Sequence, residues 1–268
     1  MRLMNEIVDP TECYVTPRIR HVEQPGGDGY VDPKLFEVVP FDGSGGAVDV
    51  LNPGENVRLG SVNAAVDRMS RFALGTPART AFAMSLLDSQ IFMMEAATVS
   101  RLIDAIEDFE DDGSIINAVK LSGFSVEWRN ANIVFWEPMK RINPDEATIE
   151  NVRTMVARSL RFFKPDGSKL PGGFTLAREN LVPVDIGPGE AMVPDTIWDL
   201  RTSEALPTKE DTLRLLVYWR MGLRSDRPWG FQGAKYLGIY NPRLNEARRI
   251  SVDDIPNEAI DAVEKSFE

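Results

Sequence analysis

Residues 187–203 read GPGEAMVPDTIWDLRTS, and this stretch decides the architecture. Thr196–Thr202 is a short apolar run with charges set inside it, which predicts a strand. Gly187-Pro188-Gly189 turns the chain ahead of it. Successive strand residues point to opposite faces. Asp199 and Arg201 are therefore expected to point together, with Trp198 and Leu200 in the other layer. Glu190 stands nine positions before Asp199, and a turn through residues 192–196 brings it alongside. Two carboxylates held that close are costly without a cation between them. A divalent ion with hard oxygen ligands, Mg2+ or Mn2+, meets that need. Each piece also has a plainer reading: Asp199 and Arg201 as a same-face ion pair, Glu190 as a solvated turn carboxylate.

Downstream, Thr208-Lys209-Glu210-Asp211 starts a helix through an approximate capping box. Its body, Leu213 to Leu223, is apolar nearly all round, so it is expected to be buried. Lys235–Tyr240 and Arg248–Val252 pair as a hairpin through Asn241–Asn245, and Pro256 opens a last helix. Upstream, Phe174–Leu181 and Val182–Ile186 read as extended. Asn143-Pro144-Asp145-Glu146 is a helix start, with a capping Asn, Pro at the first helical position and carboxylates in the first turn. Ile149, Val152, Val156, Leu160 and Phe163 mark one face of that helix. Phe124–Trp128 and Ile133–Trp136 predict another hairpin, and Gly123 a helix stop before it.

Residues 61–123 have helical periodicity, with Val62, Ala65, Val66, Met69 and Phe72 on one stripe. A second helix carries Phe82, Leu86, Ile91 and Met94, and a third Val99, Leu102, Ile103, Ile106 and Phe109. Residues 1–60 are rich in Pro, Gly and Asp and read as extended segments and turns. The expected fold is α+β: an extended segment over 1–60, a helical region over 61–123, and over 124–268 a central mixed sheet flanked by helices.

An acid, a gap of about ten residues, then acid-x-cation on the next strand followed by a buried helix resembles the PD-(D/E)XK nuclease superfamily, in its exonuclease-like branch. The resemblance covers about residues 145–252 and implies a restriction-endonuclease-like core. It implies Glu190, Asp199 and Arg201 as catalytic residues of a metal-dependent hydrolysis of phosphodiester bonds, DNA before RNA. Glu190 and Asp199 would hold Mg2+ or Mn2+, with Glu150 (or Glu146) of the preceding helix as a further ligand. Arg214 and Tyr218 match positions where that branch carries Gln and Tyr, and with Arg153 they are candidate nucleic-acid contacts. The chain departs from the pattern in two places. The active-site Lys is Arg201, which stays protonated and cannot act as a base, and the helix Gln is Arg214. The resemblance therefore also admits a catalytically degenerate module that binds nucleic acid or a protein partner.

The chain has 268 residues with 30 Lys+Arg against 41 Asp+Glu, a net charge of −11. Residues 1–123 hold 19 of those 41 acids and only 10 of the 30 cations. The acidity thus argues against a protein that coats nucleic acid over its whole surface, yet leaves the C-terminal part near neutral. The acidic N-terminal part is a candidate surface for a protein partner. One cysteine, Cys13, and one histidine, His21, exclude an intrachain disulfide and a Cys/His zinc cluster. No apolar run reaches membrane-spanning length and the N-terminus lacks a signal-like apolar stretch, so a cytoplasmic protein with no membrane partner is expected.

Overall fold

The computed structural model describes residues 22–41, 50–83, 85, 86, 89, 96–129, 139–163, 195–224 and 229–266. They form an α+β structure on a four-stranded mixed sheet. β1 is Glu37–Val39, β2 Thr196–Leu200, β3 Tyr236–Asn241 and β4 Glu246–Ser251, in the order β1-β4-β3-β2. β2 runs parallel to β3, with Asp199 opposite Ile239. β3 and β4 form the expected antiparallel hairpin, Ile239 opposite Arg248, and its turn contains Asn245 in the left-handed region at φ 52°. β1 adds antiparallel to β4, so the N-terminal segment contributes a sheet edge.

The principal helices are α1 (Leu59–Ala73), α3 (Ala96–Asp104), α4 (Asp112–Arg129), α5 (Glu146–Phe163), α6 (Lys209–Leu223) and α8 (Asn257–Lys265); α2 (Ala78–Ala81) and α7 (Trp229–Gln232) are single turns. α5 is the hinge of the packing. One side of it meets α1 and α4. Its C-terminal end carries Phe162, which stacks on Tyr240 of β3 at 4.1 Å and meets Trp198 of β2 edge-on at 4.9 Å. Aromatic contacts of this kind add to the area they bury. α6 covers the opposite face: Arg214 reaches Asp199, the strand neighbour of Trp198. Gly238 makes room for the aromatic layer, because a Cβ there would collide with the Trp198 ring.

Four expectations need correction. Phe124–Trp128 is not a strand, since α4 runs without a break from Asp112 to Arg129. Gly123 lies inside that helix; a Cβ there would come within 2.5 Å of Ile142 Cδ1, so the glycine serves close packing instead of a stop. The α5 cap is Asp145, not Asn143: the Thr148 N–H donates to Asp145 Oδ1 at 2.9 Å. The third helix ends at Asp104, before Ile106 and Phe109. Ile133–Trp136, Phe174–Leu181 and Val182–Ile186 lie outside the described residues. Among the described residues no helix is long and apolar enough to cross a membrane.

Candidate functional site

Strand alternation sends Asp199 and Arg201 to the α6 side of β2, as expected, and the β2–β3 ladder continues one residue further through the Arg201 N–H to the Tyr240 carbonyl, 2.9 Å. α6 begins directly over this end of the strand. Its capping box is present: the Thr208 N–H donates to Asp211 Oδ2 at 2.9 Å, and the Thr208 hydroxyl to the same oxygen at 3.0 Å. That fixes Asp211 with its other oxygen turned toward β2. Arg201 ion-pairs with Asp211 Oδ1, and Arg214, one turn along α6, donates through Nη2 to the same oxygen at 2.8 Å. Arg214 Nε lies 3.5 Å from Asp199 Oδ2.

The result is a four-member charge cluster of two buried acids and two partly exposed arginines. Asp199 is 1% exposed and Asp211 4%. Burial pushes the Asp211 carboxyl above its ordinary range, opposed by the two Thr208 hydrogen bonds and reinforced by the negative Asp199 and Glu210 nearby. The arginine side chains keep about a quarter of their surface in solvent, 25% for Arg201 and 26% for Arg214. Arg201 and Asp211 line a narrow cleft at the carboxyl end of β2 and β3, together with Ser203, Asn241, Glu246 and Arg248. Pro207 and Arg248 also border a groove of about 310 Å³ between residues 27–34 and 206–210. Lys34, Lys209 and Arg248 face Asp28, Asp32 and Glu210 there, so that groove has no net preference for an anion.

Of the residues expected at the site, the structure brings Asp199, Arg201 and Arg214 together. Glu190 lies outside the described residues. Glu150 does not join them. It is exposed on α5, the helix covering the opposite face of the sheet, and pairs with Arg153, which also holds Asp112 of α4 and the Glu110 carbonyl. Glu146 is exposed in the first turn of the same helix. Arg153 is thus committed to fastening α5 to the start of α4. Tyr218 is buried in α6, and Arg220 and Arg224 both pair with Glu264 of α8. Asp211 is the residue that sequence reasoning missed. It was visible only as a capping acid, although its spacing of three from Arg214 on a helix already places the two in reach.

Of the metal ligands that the resemblance implies, Glu150 stands apart from Asp199 and Glu190 lies outside the described residues. Among the described residues no group of three His, Cys, Asp or Glu side chains could hold an ion. More directly, the Asp199 carboxylate already faces the fixed positive charge of Arg214. At about 4 Å and an effective dielectric of about 20, two unit charges interact by about 4 kcal/mol, and a divalent ion against a guanidinium by about twice that. A metal at Asp199 has to overcome this repulsion or displace the arginine. Comparison with protein-family models, with curated proteins and with solved structures returned no match.

Proposed function

We propose that this chain is a nucleic-acid-binding protein built on a nuclease-type core of the PD-(D/E)XK kind, which grips the phosphodiester backbone of DNA at the carboxyl end of β2. The element order supports the core. A helix (α5), a strand bearing acid-x-cation on one face (β2), a buried helix (α6) and a strand parallel to β2 (β3) follow one another along the chain. The single observation that carries the binding reading is the charge cluster. Its acids are buried while the guanidinium groups of Arg201 and Arg214 remain partly exposed, Arg201 on a cleft. Arginine presents several donors in a planar fork suited to phosphate oxygens.

Metal-dependent hydrolysis is the second reading, favoured by Asp199 itself, a buried acid at the position where such enzymes hold their ion. One experiment separates them. The purified chain is incubated with labelled single- and double-stranded oligonucleotides and with linear and circular DNA, in Mg2+, Mn2+ or EDTA. Salt-sensitive binding is expected in every condition, weakened about tenfold by Arg201→Ala, the worth of one charged hydrogen-bonded contact. Loss of all nucleic-acid binding would end the proposal. Metal-dependent cleavage that Asp199→Ala abolishes would replace it with the enzyme reading.

A further inference from the structure

We infer that Arg243 is a positioning residue for the phosphate-gripping site: its guanidinium, fixed by Glu55, holds the stretch of chain that carries Arg201 and lines the cleft. The inference rests on the nucleic-acid reading for the identity of the ligand. Its geometry begins where β2 ends. The Arg201 N–H extends the β2–β3 ladder to the Tyr240 carbonyl at 2.9 Å. The carbonyls that follow take side-chain donors from the end of β3 and its turn. Thr202 accepts from Arg243 Nε at 2.9 Å, and Ser203 from Asn241 Nδ2 at 2.7 Å. Thr202 is fully buried, and a buried backbone group needs such a partner.

Both donors are themselves held. Asn241 Oδ1 accepts from the backbone N–H groups of Arg243 and Leu244 at 3.0 and 3.3 Å. Arg158 of α5 donates to the Pro242 and Arg243 carbonyls at 2.8 and 3.0 Å. Arg243 Nη2 donates to both oxygens of Glu55, at 2.7 and 2.9 Å, and each of these side chains is only 9% exposed. Glu55 thus orients the guanidinium, and the guanidinium places the Thr202 carbonyl. Arginine does both at once because its donors sit in a rigid planar fork, whereas lysine has one nitrogen on a flexible stem.

The cleft gives this clamp a consequence beyond stability. Arg201 and Ser203 line it together with Asn241 and Leu244, so the clamped segment and the turn that clamps it border one opening. Its free space is about 10 Å³, close to that of a single water. In so small a space, a shift of about 1 Å in the Arg201 backbone decides whether the guanidinium meets a phosphate oxygen. Arg243 does not line the cleft and acts through the Thr202 carbonyl.

Arg243→Lys tests this, since it keeps a positive charge opposite Glu55 but cannot serve the carboxylate and the Thr202 carbonyl together. Affinity for a labelled oligonucleotide, read by anisotropy, is expected to fall about fivefold. In an Arg201→Ala background the same change is expected to cost nothing further, because both act on one contact. Glu55→Met with Arg243→Leu removes the fork without leaving a buried charge and is expected to behave alike, so whichever variant folds decides. In the ligand-free chain, amide hydrogen exchange over residues 202–206 is expected to quicken while that of α8 stays unchanged. Unchanged affinity, unchanged exchange, or an affinity loss that adds in full to that of Arg201→Ala would overturn the inference and leave Arg243 a clip alone. If the native chain binds no oligonucleotide, the nucleic-acid reading fails by itself. Exchange over residues 202–206 then decides whether Arg243 holds the cleft segment.

Discussion

Two buried charge sites border the short segment that follows β2, and they are built to opposite specifications. At Thr202, Arg243 from the β3–β4 turn donates through Nε to the backbone carbonyl at 2.9 Å and grips both oxygens of Glu55 at 2.7 and 2.9 Å. Asn151 of α5 adds a third contact to that carboxylate at 3.1 Å, and both charged side chains are only 9% exposed. One residue earlier, at Arg201, two acids share two arginines, the acids are buried, and the guanidinium groups keep a quarter of their surface in solvent. The first site spends its hydrogen-bonding capacity inside the protein, as buried ion pairs must to offset desolvation. The second keeps donors in reserve. Glu55–Arg243 is a clip that ties residues 50–58, α5 and the hairpin together, whereas in the other cluster Arg201 and Asp211 line a cleft and both guanidinium groups stay partly exposed.

The contrast breaks most visibly at Glu55. Glu55→Ala leaves Arg243 buried without a counter-charge and is expected to lower stability by about 3–5 kcal/mol, read from urea unfolding with an unchanged denaturant slope. Replacing both partners by apolar residues, Glu55→Met with Arg243→Leu, is expected to recover most of the loss. A loss below about 1 kcal/mol for Glu55→Ala would place the pair with ordinary exposed ion pairs and erase the difference between the sites.

Asp199→Asn tests the other side with a smaller expected effect. Arg214 keeps Asp211, and the amide fits the same space, so the cost is about 1–2 kcal/mol. Its consequence is functional. With one acid neutral, the guanidinium groups are less tied inward, and oligonucleotide affinity measured by anisotropy is expected to rise. A stability loss equal to that of Glu55→Ala with unchanged affinity would make the cluster a second clip.

Much of this arrangement was legible in the chain because it depends on short-range pattern. The capping box at Thr208, the same-face placement of Asp199 and Arg201, the β3–β4 hairpin and the helix carrying Val152 and Val156 all follow from periods of two or about 3.6. The failures have a common cause in tertiary contacts. Phe124, Val126 and Trp128 alternate as a strand would, yet α4 continues through them, and Gly123 sits inside the helix where Ile142 packs close. Nothing local marks Glu55 and Arg243 as partners across 188 positions. Nor does sequence reveal that Arg214 faces both Asp199 and Asp211, since that depends on where the parallel β2–α6–β3 connection lays the helix over the strand.

The smallest expected effect sits at the rim of the clip, where Asp145 caps α5. Its carboxylate accepts from the Thr148 hydroxyl at 2.6 Å and from the Thr148 N–H at 2.9 Å, while its own N–H donates to Asn56 Oδ1 at 2.9 Å, so the cap also anchors the segment that carries Glu55. Those two accepted bonds favour the charged form and hold the carboxyl below its ordinary value of 3.8. The unfolded chain titrates near 3.8 and the folded chain lower. The contribution is therefore complete above that ordinary value and is lost as the pH falls through the folded one. Asp145→Ala is expected to unfold at a lower urea concentration than the native chain at neutral pH, by less than Asp199→Asn does. The gap should close in acid. A gap that stays constant from neutral to strongly acidic solution would show the cap acting through its shape and not its charge. The rim would then resemble the clip it borders, where satisfied contacts matter, and not the charge cluster beside the cleft.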